Sequence, residues 1–348
     1  MSSKIVILFL LIVTAAAAFG VNQTPTPGQT NTPSEKITVI AKNLQVPWAL
    51  AFLPSEEILV TERVGYVKII KKDGSISPSI IAQISDLVVS GEGGLLGIAI
   101  DPRWQSYAYV YLYYTYKNDG KNTLNKVVRY TFNGMTLEEK TIIVDAIPGA
   151  SNHNGGRIKF GPDGYLYITT GDAQNPSLAQ DKNSLAGKIL RVTKGKVEVY
   201  SYGHRNPQGI AWDNKGNLWE TEHGSSACDE LNNVEKGKNF GWPNVRCDQK
   251  QNDMVSPMIQ SGNDTWAPAG LAYYNGSLFF AGLRGQALYE VIINGLTLKE
   301  HFKGEFCRIR DVILGPDNML YITTSNRDGR GSPTSDDDKI IRVDPQAL

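Results

Sequence analysis

An excess of charge of either sign is what this sequence most plainly lacks: 35 Lys plus Arg face 35 Asp plus Glu, leaving a formal net charge of zero. A protein that holds nucleic acid or an anionic membrane surface needs a basic footprint to offset phosphates, so no nucleic-acid partner is expected. Histidines number only four and cysteines three, and none falls at HExxH or CxxC spacing, which argues against a zinc enzyme. No GxGxxG follows a strand and opens a helix, no GxxxxGK(S/T) occurs, and no GxSxG elbow is present. Nicotinamide and nucleotide-phosphate chemistry therefore lack their usual cradle, and the enzyme classes narrow sharply. Sustained helical periodicity is missing too. With 41% hydrophobic and 20% charged residues, and 34 Gly and 17 Pro without a collagen-like period, the chain is globular and rich in turns.

Long apolar runs are absent except at the start, where Lys4 precedes a stretch from Ile5 to Phe19 that becomes Ala-rich at Ala15 to Ala18. This pattern predicts a secretory signal over residues 1–20, or a membrane anchor where it stays uncleaved. Residues 21–36 are rich in Thr, Pro, Gln and Asn and read as a flexible tether. Residues 37–348 are left as the working domain, expected to be secreted, periplasmic or at the cell surface. An exported chain allows a Cys228–Cys247 disulfide with Cys307 unpaired; three reduced thiols packed as small apolar residues are the alternative.

One unit recurs six times: a short apolar strand, a turn containing Pro, Asp, Asn or Gly, then a β-rich strand ending in Thr, Gly or Glu. The copies are LAFLPSEEILVTE from Leu50, IAIDPRWQSYAYVYLYY from Ile98, IKFGPDGYLYITTGD from Ile158, IAWDNKGNLWETEHG from Ile210, LAYYNGSLFFAGL from Leu271 and VILGPDNMLYITTSN from Val312. A unit of about four strands returning every ~40 to 60 residues predicts an all-β, six-bladed β-propeller with four-stranded antiparallel blades. Radial packing buries faces that one blade could not bury alone, and loops far apart in sequence converge at one end of a central channel.

Polar, Gly-rich segments at strand ends are the candidate site: GEGGLLG at Gly91, SNHNGGR at Ser151, SYGHRNPQG at Ser201, TEHGSSACDE at Thr221, GLRGQ at Gly282 and CRIRD at Cys307. His153 is the candidate base, since imidazole titrates near neutrality and Gly155 and Gly156 let a ligand approach the backbone. A loop histidine without a role is the alternative. Arg205 offers a fixed guanidinium fork, whereas His204 beside it fits a supporting role. Arg308 and Arg310 alternate with Ile309, so a regular strand points both to one face. Either Asp311, another carboxylate or a bound anion must then separate their charges. With Arg284 they would suit a small polyanion carrying several carboxylates.

Together these loops resemble the soluble quinoprotein sugar dehydrogenases, the pyrroloquinoline quinone (PQQ)-dependent glucose, sorbosone and aldose sugar dehydrogenases. The likeness runs from about Ile37 to Val343 and is carried by VPWALAF, GEGGLLG, HNGGRIKFGPDG, YGHRNPQG, DE with GWPN, and RIRDV. The resemblance implies a PQQ- and Ca2+-dependent oxidoreductase that converts aldose sugars to lactones and passes electrons to an unidentified acceptor. It implies His153 as general base at the sugar C1 hydroxyl, with Arg205 and Asn206 beside the quinone carbonyl. Arg284, Arg308 and Arg310 would face the cofactor carboxylates, and Gly224 and Ser225 would offer backbone carbonyls to calcium. Glu92, Asn152 and Trp266 fall at substrate-side positions, Glu92 and Asn152 as departures from a Gln and an Asp, and Trp266 either stacks near the sugar or packs within a blade. The short chain implies an open cleft and broad aldose specificity. A calcium-dependent lactonase and a non-catalytic extracellular binding propeller are the competing readings.

Overall fold

In each repeat, alternating residues flank a turn that the local sequence closes by itself. Asp163, Asp213 and Asp317 accept the amides of Tyr165, Lys215 and Met319 at 3.1, 2.9 and 3.2 Å. Gly164, Gly216 and Asn318 then take positive φ of 75°, 82° and 61°, as tight hairpins require. The second repeat departs from this: its turn is the one-turn helix Trp104–Tyr107. The chain is described by a computed structural model over residues 36–72, 75, 80–119 and 122–348, so the expected signal or anchor and residues 21–35 of the tether lie outside the described residues.

Six four-stranded antiparallel sheets follow one another as the blades of a six-bladed propeller. The innermost strands are Pro47–Phe52, Leu95–Ile100, Ile158–Phe160, Pro207–Trp212, Pro268–Tyr274 and Ile309–Leu314. Strand Ile37–Ala41 pairs with Ile340–Val343 and becomes the outermost strand of the last blade, so the two ends of the domain share one sheet and close the ring. Cys228 and Cys247 are joined as a disulfide and Cys307 is free.

Two devices fix neighbouring blades to each other. Apolar faces meet between sheets, where Ile98, Val128, Ile158, Ile168 and Leu190 are buried in one continuous cluster; each such side chain contributes roughly 1.5–3 kcal/mol on burial. The threonine that recurs at the second strand's end adds a polar tie. Thr61 donates to the Leu96 carbonyl at 2.6 Å, Thr221 to Ala269 at 2.7 Å and Thr323 to Pro47 at 3.4 Å, each reaching the next blade.

The innermost strands also share an irregularity that builds the site. Register breaks lie between Pro47 and Ala49, Leu95 and Ile98, Pro207 and Gly209, Pro268 and Leu271, and Ile309 and Asp311, all near the strand starts. A bulge turns the extra residue out of the ladder and re-aims its side chain. Trp48, Gln208 and Arg310 occupy these positions and meet: Arg310 donates to Gln208 Oε1 at 2.7 Å and lies over the Trp48 ring at 5.8 Å.

Candidate active site

The loops at this end enclose a cavity of about 340 Å³, within the range of small-ligand pockets. Its wall takes Glu92 from the second blade, His153 from the third, Arg205, Asn206 and the Gly224–Ser225 turn from the fourth, Arg284 from the fifth, and Arg308, Arg310 and Arg330 from the sixth. Five arginines line it against two carboxylates, Glu92 and Asp229. A chain with no net charge thus concentrates positive charge at one place.

His153 sits in a left-handed backbone conformation, φ 61°, with its side chain 19% exposed. Its Nδ1 lies 2.8 Å from Asp172 Oδ1. Asp172 is fully buried and accepts two further N–H groups, Gln174 N at 2.8 Å and Trp242 Nε1 at 2.8 Å. A carboxylate so occupied can only accept from the imidazole, which fixes the proton on Nδ1 and leaves Nε2 as a lone pair. Glu92 supports the same residue from the other side, accepting the His153 amide at 3.1 Å. Burial alone would raise the Glu92 carboxyl; the charge of His223 at low pH and hydrogen bonds from Arg330 and the His153 amide overcome it and hold the pKa at about 2.

The arginines differ in how their charge is met. Arg308 is paired: Nε and Nη2 reach Asp328 Oδ2 at 3.1 and 2.8 Å. Arg310 is 5% exposed and has no carboxylate partner among the described residues. Its burial and the nearby Arg308 and Arg63 lower its pKa to about 9 against the pull of Asp328. Arg205 reaches the His223 carbonyl at 3.2 Å, and burial likewise lowers its pKa despite Asp172 and Glu222. The Nε atoms of Arg63, Arg205 and Arg310, and His223 Nε2, are buried without a hydrogen-bond partner among the described residues. Buried guanidinium N–H groups are rarely left so, and those of Arg205 and Arg310, which line the cavity, suit an acidic ligand.

Asn206 is buried and accepts the Gly155 amide at 3.0 Å, holding the Gly-Gly turn behind His153. Gly224 donates to Asp229 Oδ1 at 2.8 Å, while Asp229 Oδ2 accepts from Thr265 and the amides of Trp266 and Ala267. The Gly224 and Ser225 carbonyls accept no hydrogen bond among the described residues, so this donor set fits a hard cation. His204 stays outside the cavity, buried between Ser201 and Glu222 at 2.8 Å each. Burial opposes its charge, but Glu220 and Glu222 raise its pKa to about 9.

Three expectations need correction. Trp266 does not line the cavity; it is 6% exposed and packs on Phe280 and Tyr289 of the fifth blade, the packed alternative, because the loop that leads into strand Pro268–Tyr274 lays the indole against that sheet. Asp311 does not separate Arg308 from Arg310, since it pairs with Arg157 at 3.0 Å. Those two arginines share the cavity, yet not through simple alternation: Arg308 precedes the strand and Arg310 stands in its bulge. Asn152 stands at the rim, its Oδ1 accepting from Arg330 at 3.2 Å. Asp172, Asp229, His223 and Arg330 escaped the sequence reading. Asp172 closes the quoted repeat ending in Thr-Gly-Asp, where its place at the channel end was the available signal.

The model of the glucose/sorbosone dehydrogenase family matches residues 44–333. The aldose sugar dehydrogenase YliI of Escherichia coli is 30% identical, over 89% of this chain and 93% of its own. Quinoprotein glucose dehydrogenase B of Acinetobacter calcoaceticus is 32% identical over 60% of this chain and 52% of its own. The PQQ-bound aldose sugar dehydrogenase of Streptomyces coelicolor superposes with a TM-score of 0.83 and 36% identity, covering 88% of this chain and 97% of that one.

Proposed function

Since the chain belongs to the glucose/sorbosone dehydrogenase family and is an oxidoreductase acting on CH–OH donors, we propose that it oxidises the C1 hydroxyl of aldose sugars to lactones with PQQ and calcium. The observation that carries this reading is the cavity itself, five arginines beside an imidazole whose Nε2 has no hydrogen-bond partner among the described residues. Arg308 is met by Asp328 and Arg330 by Glu92, which leaves Arg205, Arg284 and Arg310 without an ion pair among the described residues, and three such cations suit a tricarboxylate. Arg308, Arg310 and Arg284 would hold its carboxylates, Arg205 and Asn206 its carbonyl edge, and the Gly224 and Ser225 carbonyls the calcium. When bound, the quinone supplies a two-electron acceptor for the C1 hydride, and calcium polarises its carbonyl.

The chain's own part is proton removal and orientation. His153 Nε2 takes the C1 hydroxyl proton, and Asp172 stabilises the imidazolium so formed. Glu92 and Asn152 face the sugar side, with Glu92 ionised and able to accept from hydroxyls. Arg205 places positive charge where negative charge develops on oxygen. Export, a membrane tether and the electron acceptor belong to the same proposal and rest on the N-terminal sequence and on the family. The test is to add PQQ and Ca2+ to the purified protein and follow reduction of an artificial dye with glucose and other aldoses. Dye reduction that requires both additions is expected; none with any aldose would overturn the reading, and ester cleavage without quinone would favour a lactonase.

A further inference from the structure

The segment between strands Leu320–Thr324 and Ile340–Val343 carries Arg330 across the channel mouth to the second and third blades. Its guanidinium donates to Glu92 Oε1 at 2.9 Å and to Asn152 Oδ1 at 3.2 Å. Glu92 in turn accepts the His153 amide through Oε2, and its own amide donates to the Ser151 carbonyl at 2.7 Å. One side chain from the last blade therefore ties down both the loop that carries the base and the carboxylate that steadies it.

Arg330 is itself held before any ligand arrives. Its amide donates to Asp328 Oδ1 at 2.9 Å, and Asp328 is pinned by Arg308. Arg327 in the same segment donates to the carbonyls of Thr334, Ser335 and Asp337. A Cβ at Gly331 would lie 2.6 Å from the Asn326 carbonyl oxygen, so the chain beside Arg330 is closely packed. The side chain is 54% exposed and lines the cavity. A surface ion pair adds little to stability, so its consequence is to be sought in geometry.

We propose that Arg330 is a positioning residue: through Glu92 and Asn152 it fixes the left-handed backbone at His153 and so aims the base, a role that rests on the proposed oxidation of sugars at that residue. Left-handed backbone at a non-glycine residue persists only where its surroundings over-determine it, and displacement of a reacting group by about 1 Å can cost on the order of 10²-fold in rate.

The test combines kinetics of the PQQ- and Ca2+-loaded protein with NMR of the His153 ring in the protein free of both, the four histidines being assigned with His153→Ala. Expected for Arg330→Gln are a kcat lower by about ten- to a hundredfold, a loss of PQQ affinity smaller than that fall in kcat, and a shifted or broadened His153 signal. Arg330→Lys should recover part of kcat, and Arg330→Gln with Glu92→Gln should be no slower than Glu92→Gln alone. An unchanged His153 signal, or losses that multiply in the double variant, would overturn the role. If the wild type turned over no sugar, the function would fail while the His153 signal still decided the tie.

Discussion

Replacing Asp172 by Asn tests the centre of the site, because it removes one charge and changes almost no volume. Asp172 accepts three N–H groups, from His153 and Gln174 on Oδ1 and from Trp242 on Oδ2. An amide has one oxygen. With that oxygen toward Gln174, its NH2 confronts the Trp242 indole N–H; turned the other way, it confronts the Gln174 amide and drives the His153 proton onto Nε2. Either arrangement leaves one buried donor unpaired, at a cost of about 1–3 kcal/mol. The first keeps the tautomer but loses the charge that stabilises the imidazolium, and the second removes the base. Turnover should fall by about 10²- to 10⁴-fold, with PQQ affinity near wild type because Asp172 lies behind the imidazole. Dye-reduction kinetics read the first quantity and a quinone titration the second, with His153→Ala as the lower bound. A kcat within about threefold of wild type would refute a catalytic imidazole oriented by Asp172.

Glu92 links the site to pH. Its folded pKa of about 2 lies below the ordinary value of 4.5, so its stabilising contribution is present above about pH 4.5 and is lost as pH falls toward 2. Thermal unfolding over that window should fall more steeply for wild type than for Glu92→Gln, and parallel curves would remove this linkage. Opening the Cys228–Cys247 disulfide, with its sequence separation of 19, should cost about 3 kcal/mol, read as a lower melting temperature under reducing agent and in Cys228→Ser/Cys247→Ser. On the substrate side, comparable turnover of mono- and disaccharides is expected, and activity confined to D-glucose would count against an open cleft.

What the sequence made legible follows physical range. Turn chemistry and strand alternation act over a few residues, so six repeats sufficed for the blades, and the loops dense in Gly and charge marked the right end of the channel. The partners of those loops were not legible. Trp242 meets Asp172 across 70 residues and Arg330 meets Glu92 across 238, and nothing in the intervening sequence encodes those distances. Trp48 and Trp266 look alike as tryptophans near strand starts. A bulge aims the first at the channel, where Arg157 stacks on it at 4.5 Å, while the second is turned into its blade. The bulges decide such cases, and their sequence signature is weak. Asp172 was within reach: it lies two residues past the second strand of its blade, Leu166–Thr170, at the end where Glu62 and Glu222 close theirs.

Arg308 and Arg310 stand two residues apart with opposite energetics, which separates binding from stability. Arg308 neutralises Asp328 at 2.8 Å, so Arg308→Met leaves a buried carboxylate uncompensated and should destabilise the ligand-free protein by about 3 kcal/mol. Among the described residues, buried Arg310 has only Gln208 as an acceptor and its Nε has no partner. Arg310→Met relieves a desolvated cation, and the ligand-free protein should melt at an unchanged or higher temperature, about 2–4 °C for each kcal/mol gained. Both variants should bind PQQ more weakly. The unpaired cation is the group whose charge is met only when an anion enters, so the ranking in stability should invert when melting is repeated with saturating PQQ and Ca2+: wild type gains most, and Arg310→Met falls below it. If Arg310→Met lost as much ligand-free stability as Arg308→Met, the collar would be a structural charge network and the case for an acidic ligand would fail with it.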